Sequence, residues 1–269
     1  MSESAKTRHI KDFFDEDSRQ YLDERYPSIP TTCDQFSYLV RKQYVLEMLD
    51  AIGHGGRVLD IGCGPAVYTR DLVERGWNVY GMDISTGMLE TAVRLARALP
   101  RRVKFTAAHA TQLPFLEASF DAVMCIGVVS YVTDVPALLR EVRRMLRPGG
   151  QAIFQISNAL SVSEIDLRVR RGIGRMMPRR RDLDAHDRFR ENVMLNPYTP
   201  ATFDRWCEDA LLERRDFRFF DFRPPLVIDR LAPRLSLGVG RALEALSRSR
   251  VSTGMAAGYL VRVSRGTLQ

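Results

Sequence analysis

Residues 58–66 read Val58-Leu59-Asp60-Ile61-Gly62-Cys63-Gly64-Pro65-Ala66, an apolar strand that breaks into a glycine-rich turn, and a second acid, Asp83, ends the next apolar run. No other feature of the chain constrains its fold as much. A strand, a glycine turn, a helix N-terminus and a carboxylate one strand later are the layout of a pocket for an adenosine-containing ligand in an open α/β sheet. Gly62 and Gly64 let the backbone turn sharply and approach a ligand with no Cβ in between. A helix beginning near Ala66 would aim its free N–H groups at the same place. Dinucleotide sites usually read G-x-G-x-x-G, with a pyrophosphate on that helix. Here the glycines are closer together and an acid precedes the first by two residues, which suits a ligand with a positive amino group and would repel phosphate.

The rest of the middle alternates strand and helix signals. Strands are expected at 58–61, 78–82, 103–107, 120–126 and 151–156, the fourth continuously apolar, as a strand buried on both faces should be. Between them, Tyr68, Leu72 and Val73 give a helix stopped by Gly76. Ser85 caps one with Met88, Leu89, Ala92, Leu95, Ala96 and Leu99 inward, ended by Pro100, and Asp134 caps one carrying Leu138, Leu139, Val142, Met145 and Leu146. Strand, helix, strand in this order predicts a doubly wound, mostly parallel sheet in three layers. Further on, a helix from Tyr198 with Trp206 and Leu211 inward, a strand around Phe217, Phe219 and Phe222, and a last strand at 258–263 complete seven strands. Residues 157–197 are too long for an ordinary connection and are expected to form a helical lid. A second interruption, 224–250, places Leu231, Leu235, Val239, Leu243 and Leu246 at helical spacing, with Pro233, Gly238 and Gly240 favouring two short helices over one. Residues 1–50 are expected to be a helical cap segment and 51–269 the main domain.

Five pieces together carry a resemblance: Val58–Pro65; Gly81-Met82-Asp83-Ile84-Ser85 with Met88-Leu89; Leu113-Pro114-Phe115; Ser119–Val123; and Leu146-Arg147-Pro148-Gly149-Gly150. In this order and spacing the chain resembles the class I S-adenosylmethionine-dependent methyltransferases, most closely the small-molecule group of ubiquinone and menaquinone biosynthesis, over about residues 55–160. The resemblance implies S-adenosylmethionine as cofactor. Asp60 would order the loop near the amino acid end, and Asp83 would accept both ribose hydroxyls. Purely structural roles are open to both, Asp60 as a simple cap of the turn and Asp83 as the anion of the following helix. The remaining implied cofactor residues are Gly62, Cys63, Gly64, Ile84, Met88, His109, Ala110, Thr111, Cys125 and Ile126. Met88 would pack on ribose or adenine, or serve only the core. Relatives commonly have Gly-Asp-Ala where this chain has Ala108-His109-Ala110. His109 could replace that acid towards the adenine amino group only by presenting an acceptor nitrogen, and the backbone of Ala110 is slightly favoured instead. Methyl transfer requires a base only for an alcohol or phenol acceptor, and the candidates are His186, Tyr131 and His109. Tyr131 and Tyr21 fall where the acceptor pocket is implied.

Composition excludes little. The 269 residues, 45% hydrophobic, suffice for one substantial core. No apolar run reaches membrane-span length and the N-terminus is polar, so a cytoplasmic protein is expected. The four cysteines, at 33, 63, 125 and 207, form no C-x-x-C pair, and no metal site is expected. The formal charge is +7, yet 36 of the 40 basic residues are arginine, a chain-wide bias rather than a nucleic-acid patch. A nucleic-acid amino-methyltransferase would usually carry an Asn/Asp-Pro-Pro-Tyr/Phe tetrad after the fourth strand, where this chain has Cys125-Ile126-Gly127-Val128. A nicotinamide-dependent oxidoreductase on the same fold and a catalytically silent S-adenosylmethionine-binding protein compete with the methyltransferase reading. The expected partner is a small-molecule acceptor, apolar or lipid-linked if the 224–250 helix covers a pocket or rests on an anionic membrane. Oligomeric state is not legible.

Overall fold

Each apolar run becomes a strand because its alternate residues are claimed by two separate cores. The computed structural model describes residues 3–99, 103–165, 196–222 and 233–266. β1 (Arg57–Ile61) pairs in parallel with β2 (Asn78–Asp83) on one side and β4 (Phe120–Cys125) on the other. β3 (Val103–Ala107) extends the β2 side and β5 (Leu146–Ser157) the β4 side, again in parallel. β7 (Ala256–Arg265) lies antiparallel between β5 and β6 (Leu212–Phe222). The seven-stranded order is β3-β2-β1-β4-β5-β7-β6. The chain therefore runs outward from β1 in one direction and restarts beside it in the other, which leaves a crevice at the carboxyl ends of β1 and β4.

Leu59, Ile61, Val123, Cys125, Phe154 and Ile156 point to one face, under α6 (Val135–Met145) and α7 (Pro200–Asp209). Val58, Val79, Met124 and Ile153 point to the other, under α3 (Cys33–Asp50) and α4 (Thr69–Glu74). By this alternation Asp60 falls on the second face with Val58. On α6, Asp134 Oδ1 accepts the Ala137 N–H at 2.8 Å, and Leu138, Leu139, Val142 and Met145 are completely buried. Each such side chain contributes roughly 1.5–3 kcal/mol of transfer free energy. The expected cap segment divides between two places. α1 (Glu3–Asp17) and α2 (Tyr21–Arg25) lie at the crevice, whereas Val45, Met48 and Leu49 of α3 are core residues packed with Leu72 and Trp77.

Several local expectations need correction. α4 begins at Thr69 rather than near Ala66, since Ala66 itself has φ +66° and cannot start a right-handed helix. Leu95 is exposed and α5 (Thr86–Ala96) ends before Leu99. Leu211 lies past the end of α7 in a left-handed turn, φ +57°, and is exposed. β5 starts at Leu146, opposite Phe120, and Arg147–Gly150 bulge out before Gln151 pairs with Ala122. Within the expected 224–250 segment, α8 (Pro233–Leu243) runs unbroken through Gly238 and Gly240 and is followed by a 3-10 turn at Glu244–Leu246; residues 223–232, where another piece was expected, lie outside the described residues. Pro233 is its first residue, where a missing N–H costs nothing, and Gly240 permits close packing, because an added Cβ would stand 3.1 Å from the Phe222 carbonyl oxygen. Ser236 and Gly240 are buried and Leu243 packs partly buried against the core, while Leu235, Val239 and Leu246 are exposed, so most of the described part of that stripe faces outward. The segment 166–195 of the expected lid, with His186, and residues 100–102 and 223–232 lie outside the described residues.

This division of faces predicts unequal mutational costs. Leu139→Ala should destabilise by about 2–5 kcal/mol through transfer loss and cavity formation, and Leu235→Ala by no more than about 0.5 kcal/mol, both read from denaturant midpoints.

Candidate active site

The crevice is occupied by a cavity of about 240 Å³, lined from below by the carboxyl ends of β1, β2 and β4 and from above by α1, α2 and α3. Its floor depends on the turn after β1. The N–H groups of Gly62 and Cys63 both donate to the Met82 carbonyl, at 2.7 and 3.0 Å, and the Gly64 N–H donates to Asp83 Oδ2 at 2.9 Å. Asp83 Oδ1 accepts the Ser85 N–H at 2.9 Å. Asp83 thus does the loop-ordering that the sequence assigned to Asp60, and it also stands at the helix N-terminus. Asp83 also lines the cavity, where its carboxylate can accept a ligand hydroxyl beside these N–H groups. Burial pushes the Asp83 carboxyl up, opposed by its backbone hydrogen bonds to Ser85, Gly64 and Ile84.

The two glycines have different tasks. A Cβ on Gly62 would meet Val128 Cγ2 at 2.1 Å, so Gly62 is required by packing; at Gly64, which lines the cavity, an added Cβ meets nothing within 4 Å. Gly64 is the open approach. Both have positive φ, +70° and +54°. Asp60 lies beneath this turn, 2% exposed, and its Oδ2 is buried without a hydrogen-bond partner. Burial, reinforced by the Asp83 charge, pushes its carboxyl up to about 8. A positive group placed above the turn would favour ionised Asp60, which neither a pyrophosphate nor an empty polar loop would do.

Of the cofactor residues named from sequence, Gly62, Gly64, Asp83, Ile84, Met88, His109, Ala110 and Ile126 line the cavity. Asp60, Cys63, Thr111 and Cys125 do not. Cys63 is buried behind the turn, its Sγ 3.0 Å from where a Cβ on Gly81 would be, and Cys125 is wholly buried in the α6 face. Thr111 acts on His109: its N–H donates to Nδ1 at 3.4 Å and its hydroxyl lies 2.9 Å from the same nitrogen. That occupies the acceptor nitrogen of a neutral ring and leaves an N–H on the other side, which weakens His109 as an acceptor and leaves the Ala110 backbone. Met88 is 1% exposed and lines the cavity, so its core and ligand-facing readings coexist. Tyr21 and Tyr131 also line it; Tyr131 meets Phe14 of α1 edge-on at 5.6 Å. Burial, the main cause, pushes the Tyr21 phenol far up, so it stays a donor.

Sequence reading missed Asp15. Its Oδ1 accepts the Ser85 hydroxyl at 2.6 Å and the Gly87 N–H at 2.9 Å, which fastens α1 to the N-terminus of α5. Partial burial opposes ionisation of Asp15, and the hydrogen bonds from Lys11, Ser85 and Gly87 outweigh it and hold the carboxyl below its usual range. Arg41 and Gln155 were missed as well, both on the cavity wall. No pattern signals residues whose meaning depends on contacts with distant elements.

Comparison with known proteins agrees with this geometry. Residues 59–154 match a family model described as a methyltransferase domain. The demethylmenaquinone methyltransferase of Mycolicibacterium paratuberculosis is 41% identical over 102 residues, 38% of this chain and 42% of that protein. The ubiquinone biosynthesis O-methyltransferase of Alkalilimnicola ehrlichii is 26% identical over 187 residues, 69% of this chain and 71% of the relative. The chain thus spans less than half of the first relative's length. The magnesium protoporphyrin IX methyltransferase of Synechocystis PCC 6803, solved with bound SAH, shares the fold with a TM-score of 0.67 at 16% identity, covering 97% of this chain and 100% of that one.

Asp60 gives a pH signature. Its folded carboxyl is raised above 3.8 to about 8, so the folded state holds a proton that the unfolded state has lost. Stability from this group is complete at low pH and is lost as pH rises through that window. In the ligand-free protein, the Tm of the wild type relative to Asp60→Asn should fall steadily from about pH 4 to pH 8. A constant difference would show Asp60 to be ionised throughout.

Proposed function

We propose that this chain, a class I S-adenosylmethionine-dependent methyltransferase, moves a methyl group onto a small-molecule acceptor held beneath α1 and α2. The observation that carries this reading is the turn of Gly62–Gly64 with Asp83 beside it and the orphaned Asp60 oxygen below, facing a cavity of about 240 Å³. S-adenosylmethionine supplies a methyl on a positive sulfur, which is already a good leaving group. The acceptor lone pair forms the new bond to the methyl carbon as the carbon–sulfur bond breaks, and S-adenosylhomocysteine leaves with that electron pair. A proton is lost afterwards from the acceptor where it carried one.

This chain's residues position rather than activate. Asp83 holds the turn and presents oxygens for two hydroxyls, Ile84 and Met88 offer apolar contact, and Ala110 offers backbone polar groups at the far end. Tyr131 and Tyr21 bound the acceptor side. His186 remains a proposed base, outside the described residues. In-line approach of two bound reactants supplies most of the acceleration such a reaction needs.

Peripheral contact with an anionic membrane is a second reading, favoured by the outward Leu235, Val239 and Leu246 beside exposed Arg241 and Arg248. No helix among the described residues is long and apolar enough to cross a membrane. Salt-sensitive sedimentation with phosphatidylserine vesicles is expected, and its absence at low salt removes this reading alone.

The cofactor assignment is tested by calorimetry. The wild type should bind S-adenosylmethionine and S-adenosylhomocysteine, and Asp83→Ala should weaken both by about 1.5–3 kcal/mol. Gly62→Val should chiefly lower the denaturant midpoint, since its side chain collides with Val128. Absence of heat with either ligand for the folded wild type would sink the reading.

A further inference from the structure

The side of the cavity away from Asp83 carries a hydrogen-bond donor that the fold leaves uncommitted. Ser157 ends β5, Ser130 lies in the short turn Val129–Tyr131 after β4, and both line the cavity. The Ser130 hydroxyl donates to Ser157 Oγ at 3.2 Å. Ser157 Oγ is thus the acceptor of the pair and keeps its own hydrogen, for which no partner stands among the described residues. Accepting one hydrogen bond polarises a hydroxyl and strengthens the next one that it donates.

The groups around that hydroxyl are committed or apolar. The N–H groups of Tyr131 and Val132 donate to the Val128 and Val129 carbonyls at 2.9 and 3.1 Å, and those of Asn158 and Ala159 to the Ala257 and Tyr198 carbonyls at 2.8 and 3.0 Å. The Asn158 carboxamide nitrogen donates to the Thr253 and Ala256 carbonyls. Across the strand pair, Ser157 stands opposite Gly258, where an added Cβ would meet Phe220 Cε1 and Cζ at 2.3 Å, so the Phe220 ring lies against bare backbone there. Beside Ser130, the Tyr131 ring meets Phe14 edge-on at 5.6 Å. Phe14, Tyr131 and Phe220 all line the cavity, which makes an apolar slot with one polarised donor in its wall. Because β4 separates β5 from β1, Ser157 stands two strand spacings, roughly 10 Å, from the Gly62 turn, on the side opposite Asp83.

We propose that Ser157 selects and orients the methyl acceptor by donating a hydrogen bond to a neutral carbonyl oxygen on it, with Ser130 as the positioning residue behind it. This rests on the methyltransferase reading above and deepens it by naming a functional group of the acceptor. A carbonyl oxygen only accepts, and a single hydroxyl donor satisfies it. A carboxylate or phosphate in the same slot brings a full charge that one hydroxyl does not balance once water is excluded. A wholly apolar acceptor leaves the Ser157 hydrogen unpaired, and a site built to hydrogen-bond its ligand discriminates against an analogue that lacks the partner. Ser157 makes no bond to the methyl group; it holds the acceptor so that the atom to be methylated faces the Gly62 end of the cavity.

The test uses acetophenone and α-methylstyrene, two molecules of near-equal shape that carry a carbonyl oxygen or a methylene carbon at the same place, titrated by ligand-observed NMR with and without S-adenosylhomocysteine. In the wild type, the carbonyl stretch of bound, isotope-labelled acetophenone should stand at the lowered frequency of a hydrogen-bonded ketone, read by infrared difference spectroscopy. Ser157→Ala should raise that frequency and weaken acetophenone at least about 5-fold, while α-methylstyrene stays within about 2-fold. Ser130→Ala should weaken acetophenone by less, because the Ser157 hydroxyl remains. S-adenosylhomocysteine affinity should be the same in all three proteins. A wild-type carbonyl band at its position in apolar solvent, which needs no variant to fold, overturns the proposal, as does failure of the wild type to bind acetophenone. No loss in Ser157→Ala, or an equal loss of both probes, also overturns it, since neither is the loss of a donor. Failure of S-adenosylhomocysteine to bind the wild type is read separately and sinks the methyltransferase reading instead.

Discussion

Three backbone N–H groups in succession, those of Gly62, Cys63 and Gly64, are bound to the end of β2, two by the Met82 carbonyl and one by the Asp83 carboxylate. Everything at the site follows from this clasp. It turns the chain away from the sheet at the one point where the strand order reverses, so a cavity opens there and not along the sheet. It leaves no room for a side chain at Gly62, against which Val128 packs, and thereby sets the position of the segment after β4 that lines the cavity. It also seals Asp60 below the turn, away from water. A buried carboxyl with an unpartnered oxygen is destabilising when charged, so burial raises its pKa, and a positive ligand group above the turn would favour its ionisation.

The fold was legible wherever a signal is local. Apolar runs bounded by turn residues gave the strands, and Ser85 and Asp134 each cap a helix at the expected place, with side-chain oxygens accepting the N–H groups of Met88 and Ala137. The doubly wound, mostly parallel character of the seven-stranded sheet came with the resemblance and the alternation of elements. What failed was the direction of individual apolar side chains near helix ends. Leu95, Leu211 and the Leu235–Val239 stripe follow helical spacing yet face solvent, because the inward face of α8 is set by Gly240 fitting against β6. At the site, Gly62, Gly64 and Asp83 were legible because the turn imposes them at fixed spacing in the sequence. The division of labour between Asp60 and Asp83 was not, since it depends on which carboxyl reaches the Gly64 N–H. Asp15 and Arg41 were invisible for the same reason: their partners sit on other elements.

The cavity carries both signs of charge near the glycine turn, and this bears on which ligand it suits. Asp60 and Asp83 place two carboxyl groups at the turn, Arg41 lines the cavity beside Gly127, and the buried Tyr68 feels both Asp60 and Arg41. A ligand bearing positive charge would be drawn to the carboxyl groups before any specific contact forms. The charge on a sulfonium disappears as its methyl moves, so the attraction of these carboxyl groups for a spent donor would be weaker than for the donor itself. A ligand there lies beneath α1, which Asp15 fastens to the rim of the cavity through the Ser85 hydroxyl and the Gly87 N–H, so the helix that covers the site is tied to the same strand-end turn region that holds Asp83.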